Sequence, residues 1–174
     1  MTATSQIQTD VCGRSLSIRL GNSMRMPGLD CRTSSMPQHL FVYGTLRSEF
    51  PHPLALRLKS QAKFVGKGSA PGILYDFGWY PAAMFREDAR SRVIGEVFAL
   101  KTAQRLLAQL DHYEGTAEPG NPFRRVPIKV RLDRGGTVDA WTYEMRQPPE
   151  RRSLIESGDF ILHRRLREQR PSRP

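Results

Sequence analysis

The chain has 174 residues, 39% of them apolar and 25% charged, which suits one folded domain with its own core and excludes a wholly disordered chain. No apolar run approaches the length of a membrane span, and the N-terminus lacks the apolar stretch of a secretory signal, so a cytoplasmic protein with no membrane partner is expected. The formal charge of +10 gathers at the ends, with +2 in residues 1–38 and +4 in residues 161–174, so nucleic-acid binding rests on basic tails alone and is a secondary reading.

Residues 1–38 are rich in Ser, Thr, Arg and Gly without a sustained period, and are read as a disordered N-terminal extension. Two other readings stand beside it: a targeting segment, although the amphipathic helix is missing, or an upstream extension of a domain that opens at Met36. Cys12 and Cys31 both fall here, without CxxC spacing or a nearby His, so neither a zinc site nor a disulfide framework is expected. A reducing compartment is the simpler assumption.

From Leu40 the pattern turns to strands. LFVYG (40–44) is a short apolar run that suits a buried strand, and LALRLKS (54–60) a short helical turn. KFVGKGSA and GILYDFG read as two strands broken at Ala70-Pro71-Gly72, and WYPAAMF (79–85) as an apolar stretch kinked by Pro81. RVIGEVFAL (92–100) is a clear strand. FRRVPIKVRL (123–132) and TVDAWTYEM (137–145) are strands joined by a hairpin around Arg134-Gly135-Gly136. After Pro148-Pro149 a short helix is expected through Leu154 and Ile155, and a basic C-terminal tail over residues 161–174. Many strands, few helices and no alternating βαβ pattern predict an α+β domain over residues 39–160, a curled sheet or barrel with helices packed on it.

Between these strands lies KTAQRLLAQLDHYEG (101–115), with Thr102 as a candidate N-cap and Gly115 suited to the left-handed residue past the end. Ala103, Leu106, Leu107, Leu110 and Tyr113 share one stripe that should face the core. On the same count Glu114 falls roughly 20° from Ala103, near the middle of the apolar face, with His112 opposite and Asp111 at the edge. Burial and the negative end of the helix dipole both disfavour a charged carboxylate there and push its pKa towards neutrality. A frayed last turn, or an Arg paired with Glu114, would be the structural alternative.

Other chemistry is sparse. No GxxxxGK or GxSxG motif occurs and no His pair has metal-ligand spacing, so neither a metal nor a nucleotide cofactor is expected. FVYGTLR (41–47) ends its strand at Gly44, where the backbone can turn and let a ligand approach. The amides of Gly44, Thr45 and Leu46 could then form an anion-binding nest, with the Thr45 hydroxyl as a further donor and Arg47 making the mouth positive. Glu96 shares a strand side with Ile94 and Phe98 and is a second carboxylate that could line a cavity, in a supporting role at most.

FVYGTLR, WYPAAMF, GEVFAL, LDHYEG and FRRVPIKV follow one another in an order that resembles the γ-glutamylcyclotransferase-like, or AIG2-like, family over about residues 40–145, extending to ESGDF (156–160). The resemblance implies a small mixed β-barrel with flanking helices. It implies Tyr43, Gly44, Thr45 and Leu46 as the loop that binds a substrate carboxylate, and Glu114 as general acid/base. The activity implied is an acyl-transfer cyclisation of a small γ-glutamyl amine or amino acid to 5-oxoproline without cofactor; a monomer is expected, with the oligomeric state left open by the sequence. Phe123 and Phe160 stand where the family usually carries Tyr and Trp, and SEF follows the loop where many members carry a Gly, which leaves the leaving group open. A non-catalytic AIG2-like binding domain is the alternative.

Overall fold

The computed structural model describes residues 36–101, 103–116 and 120–169. The expectations for residues 1–35 and for Thr102 as a cap lie outside the described residues. Along the chain run β1 (His39–Val42), α1 (Pro53–Gln61), β2 (Ala62–Asp76), β3 (Pro81–Phe85), β4 (Arg92–Leu100), α2 (Ala103–Tyr113), β5 (Phe123–Leu132), β6 (Thr137–Met145) and α3 (Phe160–Glu168). Strands β2, β4, β1, β6 and β5 pair in that order, and β5 returns to β2 through Gly68–Leu132 and Ser69–Arg131. The ring is closed. Among the described residues only β1 and β6 pair in parallel, so this is the small mixed barrel with flanking helices that the resemblance implies.

Strand β1 is apolar and buried from Leu40 to Val42 because both of its faces are covered there. Phe41 and Tyr43 enter the barrel interior with Val93, Val97, Val130 and Ala140. Leu40 and Val42 point outward to Leu58 of α1 and Leu106, Leu107 and Leu110 of α2. The hairpin between β5 and β6 turns where expected, with Gly135 and Gly136 at φ 94° and 86°, a conformation open to Gly and costly to other residues.

Two expectations are corrected. Ala70-Pro71-Gly72 does not break the chain, because β2 runs unbroken from Ala62 to Asp76. Its pairing with β4 ends at Pro71–Arg92 and its pairing with β3 begins at Gly72–Phe85, so Pro71 stands where partners change and its missing N–H costs little. The helix expected through Leu154 and Ile155 is also absent: Leu154 bridges to Tyr75, and Ile155 is bonded through its amide to the Leu74 carbonyl. The helix comes later as α3 and takes in residues 161–168 of the expected tail, because Phe160 and Ile161 bury one side of its first turn.

One buried cation holds these parts together. Arg47 is 2% exposed and bonds through Nη1 to Asp159 at 2.6 Å, while its Nε lies 3.8 Å from the buried carboxylate of Glu96. Asp159 is also the N-cap of α3, accepting the amides of Ile161 and Leu162. Glu96 accepts both the amide and the hydroxyl of Ser48, at 2.8 and 2.9 Å. The turn after β1 is thus tied to β4 and to α3. Asp159→Asn keeps a capping oxygen but leaves Arg47 with one distant carboxylate, and should cost about 2–4 kcal/mol in urea denaturation; Asp159→Ala should cost about 1 kcal/mol more. Losses below about 0.5 kcal/mol for both variants would show that the pair is not an anchor.

Candidate active site

The end of α2 is built by its own backbone. Past Tyr113 the amide of Gly115 bonds to the His112 carbonyl and that of Thr116 to the Asp111 carbonyl, with Gly115 at φ 63°. This is the Schellman arrangement, and it fixes Glu114 as the capping residue rather than leaving a frayed turn. The Glu114 carbonyl receives the side-chain amide of Asn121 at 3.0 Å, which ties the residue before β5 to the end of α2.

Asp111 and Glu114 have opposite surroundings. Asp111 accepts the Tyr143 hydroxyl at 2.9 Å and pairs with Arg125 at 2.7 Å, bolting the last turn of α2 onto β5 and β6. Glu114 lines a cavity of about 490 Å³. Burial pushes its carboxyl up to about 7, and among the described residues no donor bonds to its carboxylate. The Arg pairing that would have made it structural goes to Asp111 instead.

All five residues singled out from the sequence border this cavity: Tyr43, Gly44, Thr45, Leu46 and Glu114. They do different things. The Tyr43 hydroxyl donates to the Tyr143 carbonyl at 2.8 Å and accepts the Ala83 amide at 3.2 Å, so it braces β1 against β6 and β3. Burial holds its pKa well above the ordinary tyrosine value. Gly44 opens a turn closed by the Arg47 amide on the Gly44 carbonyl, and its bare α-carbon faces the Pro81 ring, which a Cβ would meet at 3.0 Å. Among the described residues no acceptor takes up the amides of Gly44, Thr45 or Leu46. The Leu46 side chain is buried with Leu106, Leu107 and Leu110, which joins this turn to α2.

Three sequence readings are corrected. Arg47 does not make the mouth positive, because its guanidinium is drawn inward to Asp159 and Glu96. Glu96 keeps the strand side expected, with Phe98, but that side faces the helices, and its carboxylate holds Ser48 rather than lining the cavity. Tyr113 is half exposed at the rim instead of in the core, its hydroxyl 3.2 Å from Nε2 of His52. Phe123, noted from the sequence as a departure from the family pattern, also borders the cavity, as do His52, Trp79, Tyr80 and Asn121, which escaped the sequence reading. For Trp79 a signal existed: it precedes Pro81, where a strand begins, and so belongs to a turn. The rest come together only through the fold.

Among the described residues no group of three His, Cys, Asp or Glu could hold a metal ion, and no helix is long and apolar enough to cross a membrane. YtfP of Escherichia coli, a gamma-glutamylcyclotransferase family protein, is 30% identical over 70% of this chain and 95% of its own. Its solution structure matches with a TM-score of 0.50 over 72% of this chain and 98% of that one. An uncharacterized protein of Pyrococcus horikoshii matches with a TM-score of 0.54 at 26% identity, over 75% of this chain and 95% of its own. YkqA of Bacillus subtilis reaches a TM-score of 0.59 at 24% identity, over 78% of this chain and 44% of that longer one, a likeness of fold alone. The family model for gamma-glutamyl cyclotransferase, AIG2-like proteins matches residues 40–162, from the first strand of the barrel into α3, and the chain belongs to that family.

Proposed function

We propose that this protein is a cyclotransferase that converts the γ-glutamyl group of a small amide to 5-oxoproline and releases the amine, with Glu114 as general acid/base. The observation that carries the reading is an unpaired carboxyl, raised to about 7, sharing a cavity with a turn of three unengaged amides. The amides of Gly44, Thr45 and Leu46 would take the substrate α-carboxylate, as convergent N–H groups do for anions. The α-ammonium then lies on the Glu114 side and gives its proton to the carboxylate. The freed amine attacks the γ-carbonyl of the same molecule. A C–N bond closes the five-membered ring, and Glu114 gives the first proton to the leaving nitrogen as the original amide C–N bond breaks. The carboxylate then takes the second proton from the ring nitrogen and passes it to the released amine, leaving a lactam N–H and an ammonium.

The nucleophile belongs to the substrate, so the protein need only hold the chain folded and carry protons from the attacking nitrogen to the leaving one. A group with a pKa near 7 suits both directions of transfer at neutral pH. Asp111 is unsuited to the same task, because Arg125 and Tyr143 occupy its oxygens.

Glu114→Gln keeps the shape and removes the proton carrier. 5-Oxoproline release from γ-glutamyl amides should fall by roughly 10²–10⁴-fold, while urea denaturation at pH 7.5 shows stability held or raised by about 1 kcal/mol, allowing for solvent screening of a half-buried group. Strong destabilisation with turnover retained would make Glu114 structural. The pH dependence has a definite sign. The folded pKa of about 7 lies above the group's ordinary value of 4.5, so Glu114 costs stability as pH rises through that window. The wild type should therefore gain stability relative to Glu114→Gln as pH falls from about 7.5 to 4.5, and its kcat/KM should rise with pH through about 7. A profile flat across pH 6–8 would exclude Glu114 as the base. Asp111→Asn should cost about 1–2 kcal/mol through the lost charge pair with Arg125 and lower kcat less than Glu114→Gln does; equal losses would assign the chemistry to Asp111.

A further inference from the structure

The rim of the cavity holds a feature that the cyclisation itself does not use. Trp79 is 85% exposed although it borders the cavity, so the fold gains almost nothing from burying its ring. The turn that presents it is firmly built. The Phe77 amide bonds to the Tyr80 carbonyl at 3.1 Å, and the Gly78 amide bonds to Oδ1 of Asp76 at 2.7 Å. The other oxygen of Asp76 receives Nε2 of His163 and Nη1 of Arg167, both at 2.9 Å, so α3 clamps the turn from behind. Tyr80 stacks on Phe77 at 5.4 Å and meets the edge of Phe123 at 6.5 Å.

The charge around this rim is as telling as its shape. Among the described residues that border the cavity there is no Lys and no Arg. The nearby guanidinium of Arg125 is committed to Asp111, and Nε of Arg146 to the Asn121 carbonyl. A leaving group with its own carboxylate would find no cation in that lining, only aromatic faces of negative potential and the carboxyl of Glu114. Arg146 and Arg152 are held outside it, against the Asn121 carbonyl and 4.6 Å over the Phe77 ring. A cationic chain is drawn to the same faces but keeps its charge hydrated at so exposed a rim, where such contacts are worth little, whereas a flat uncharged ring also covers apolar surface now open to water.

We propose that Trp79, Tyr80 and Phe123 form the leaving-group subsite, and that it selects a neutral amine bearing an aromatic ring over an amino acid. This rests on the cyclotransferase reading, and the test separates the two. With the full chain, 5-oxoproline release is measured from γ-glutamyl benzylamide, methylamide, alanine and 4-aminobutylamide. The dissociation constants of the same four are measured by calorimetry on Glu114→Gln. Benzylamide should bind about tenfold or more tightly than each of the others, the scale of one good aromatic contact. Trp79→Ala should collapse its advantage over methylamide with the melting temperature kept, as expected for so exposed a ring. The inference is overturned if alanine or 4-aminobutylamide binds as tightly as benzylamide, if Trp79→Ala leaves the ratio intact, or if none of the four binds. Preference in binding with no 5-oxoproline from any compound would sink the cyclotransferase reading and keep the subsite. Turnover without preference would do the reverse.

Discussion

The structure depends on keeping one guanidinium out of water. Arg47 follows the turn at the end of β1, and burying it would cost several kcal/mol if it were left unpaired. Asp159 meets that demand with a 2.6 Å bond, and Glu96 adds a second negative charge nearby. Neither acid is free to move. Asp159 is held by the first amides of α3, Glu96 by the amide and hydroxyl of Ser48. The position of the Gly44–Leu46 turn is therefore set by charges on β4 and at the cap of α3, and a backbone with unengaged amides stays in one place without a ligand to order it. Fixed dipoles of this kind need no reorganisation when an anion arrives.

The two acids of LDHYEG show how a single turn of helix divides structural from chemical work. Asp111 and Glu114 are three residues apart and would share a helix face if the helix continued. Asp111 points to β5 and β6, where Arg125 and Tyr143 neutralise it and bond it. That pairing aims the capping residue, and the Schellman bonds around Gly115 stop the chain before Glu114 can turn away. Were Arg125 to reach Glu114 instead, the charged form would be favoured and the neutral-range pKa lost. The separation of the two acids is what leaves one of them able to exchange a proton.

Most of the barrel was legible because its strands carry local marks. RVIGEVFAL, FRRVPIKVRL and TVDAWTYEM begin and end in the structure where the sequence puts them, the last two joined by a turn that Gly135 and Gly136 permit. Glu114 was legible through helical spacing, and its place on the cavity follows the count. What escaped was non-local. Pro71 reads as a breaker because sequence cannot show that β2 changes partners there. Arg47 and Glu96 read as cavity charges because their partners, Asp159 and Ser48, are 112 and 48 residues away. Tyr113 fits the apolar stripe, yet the stripe meets the rim of the cavity at that height and the ring finds His52 instead.

The location of the cavity follows from the size of the barrel. A ring of eight strands leaves an interior that side chains just fill, and five strands enclose less. Here Phe41, Tyr43, Val93, Val97 and Val130 occupy it even with Ala70 and Ala140 among the inward positions. A ligand has no room inside and must lie at the end, where β1 stops, β3 begins and α2 arrives from outside. At that end the ladder of the barrel ceases, so amides are left unengaged, and a helix terminus can bring a carboxyl beside them. The same closure that fills the core thus exposes the two kinds of group the proposed chemistry needs: fixed N–H donors on a strand end, and a half-buried acid on a helix end.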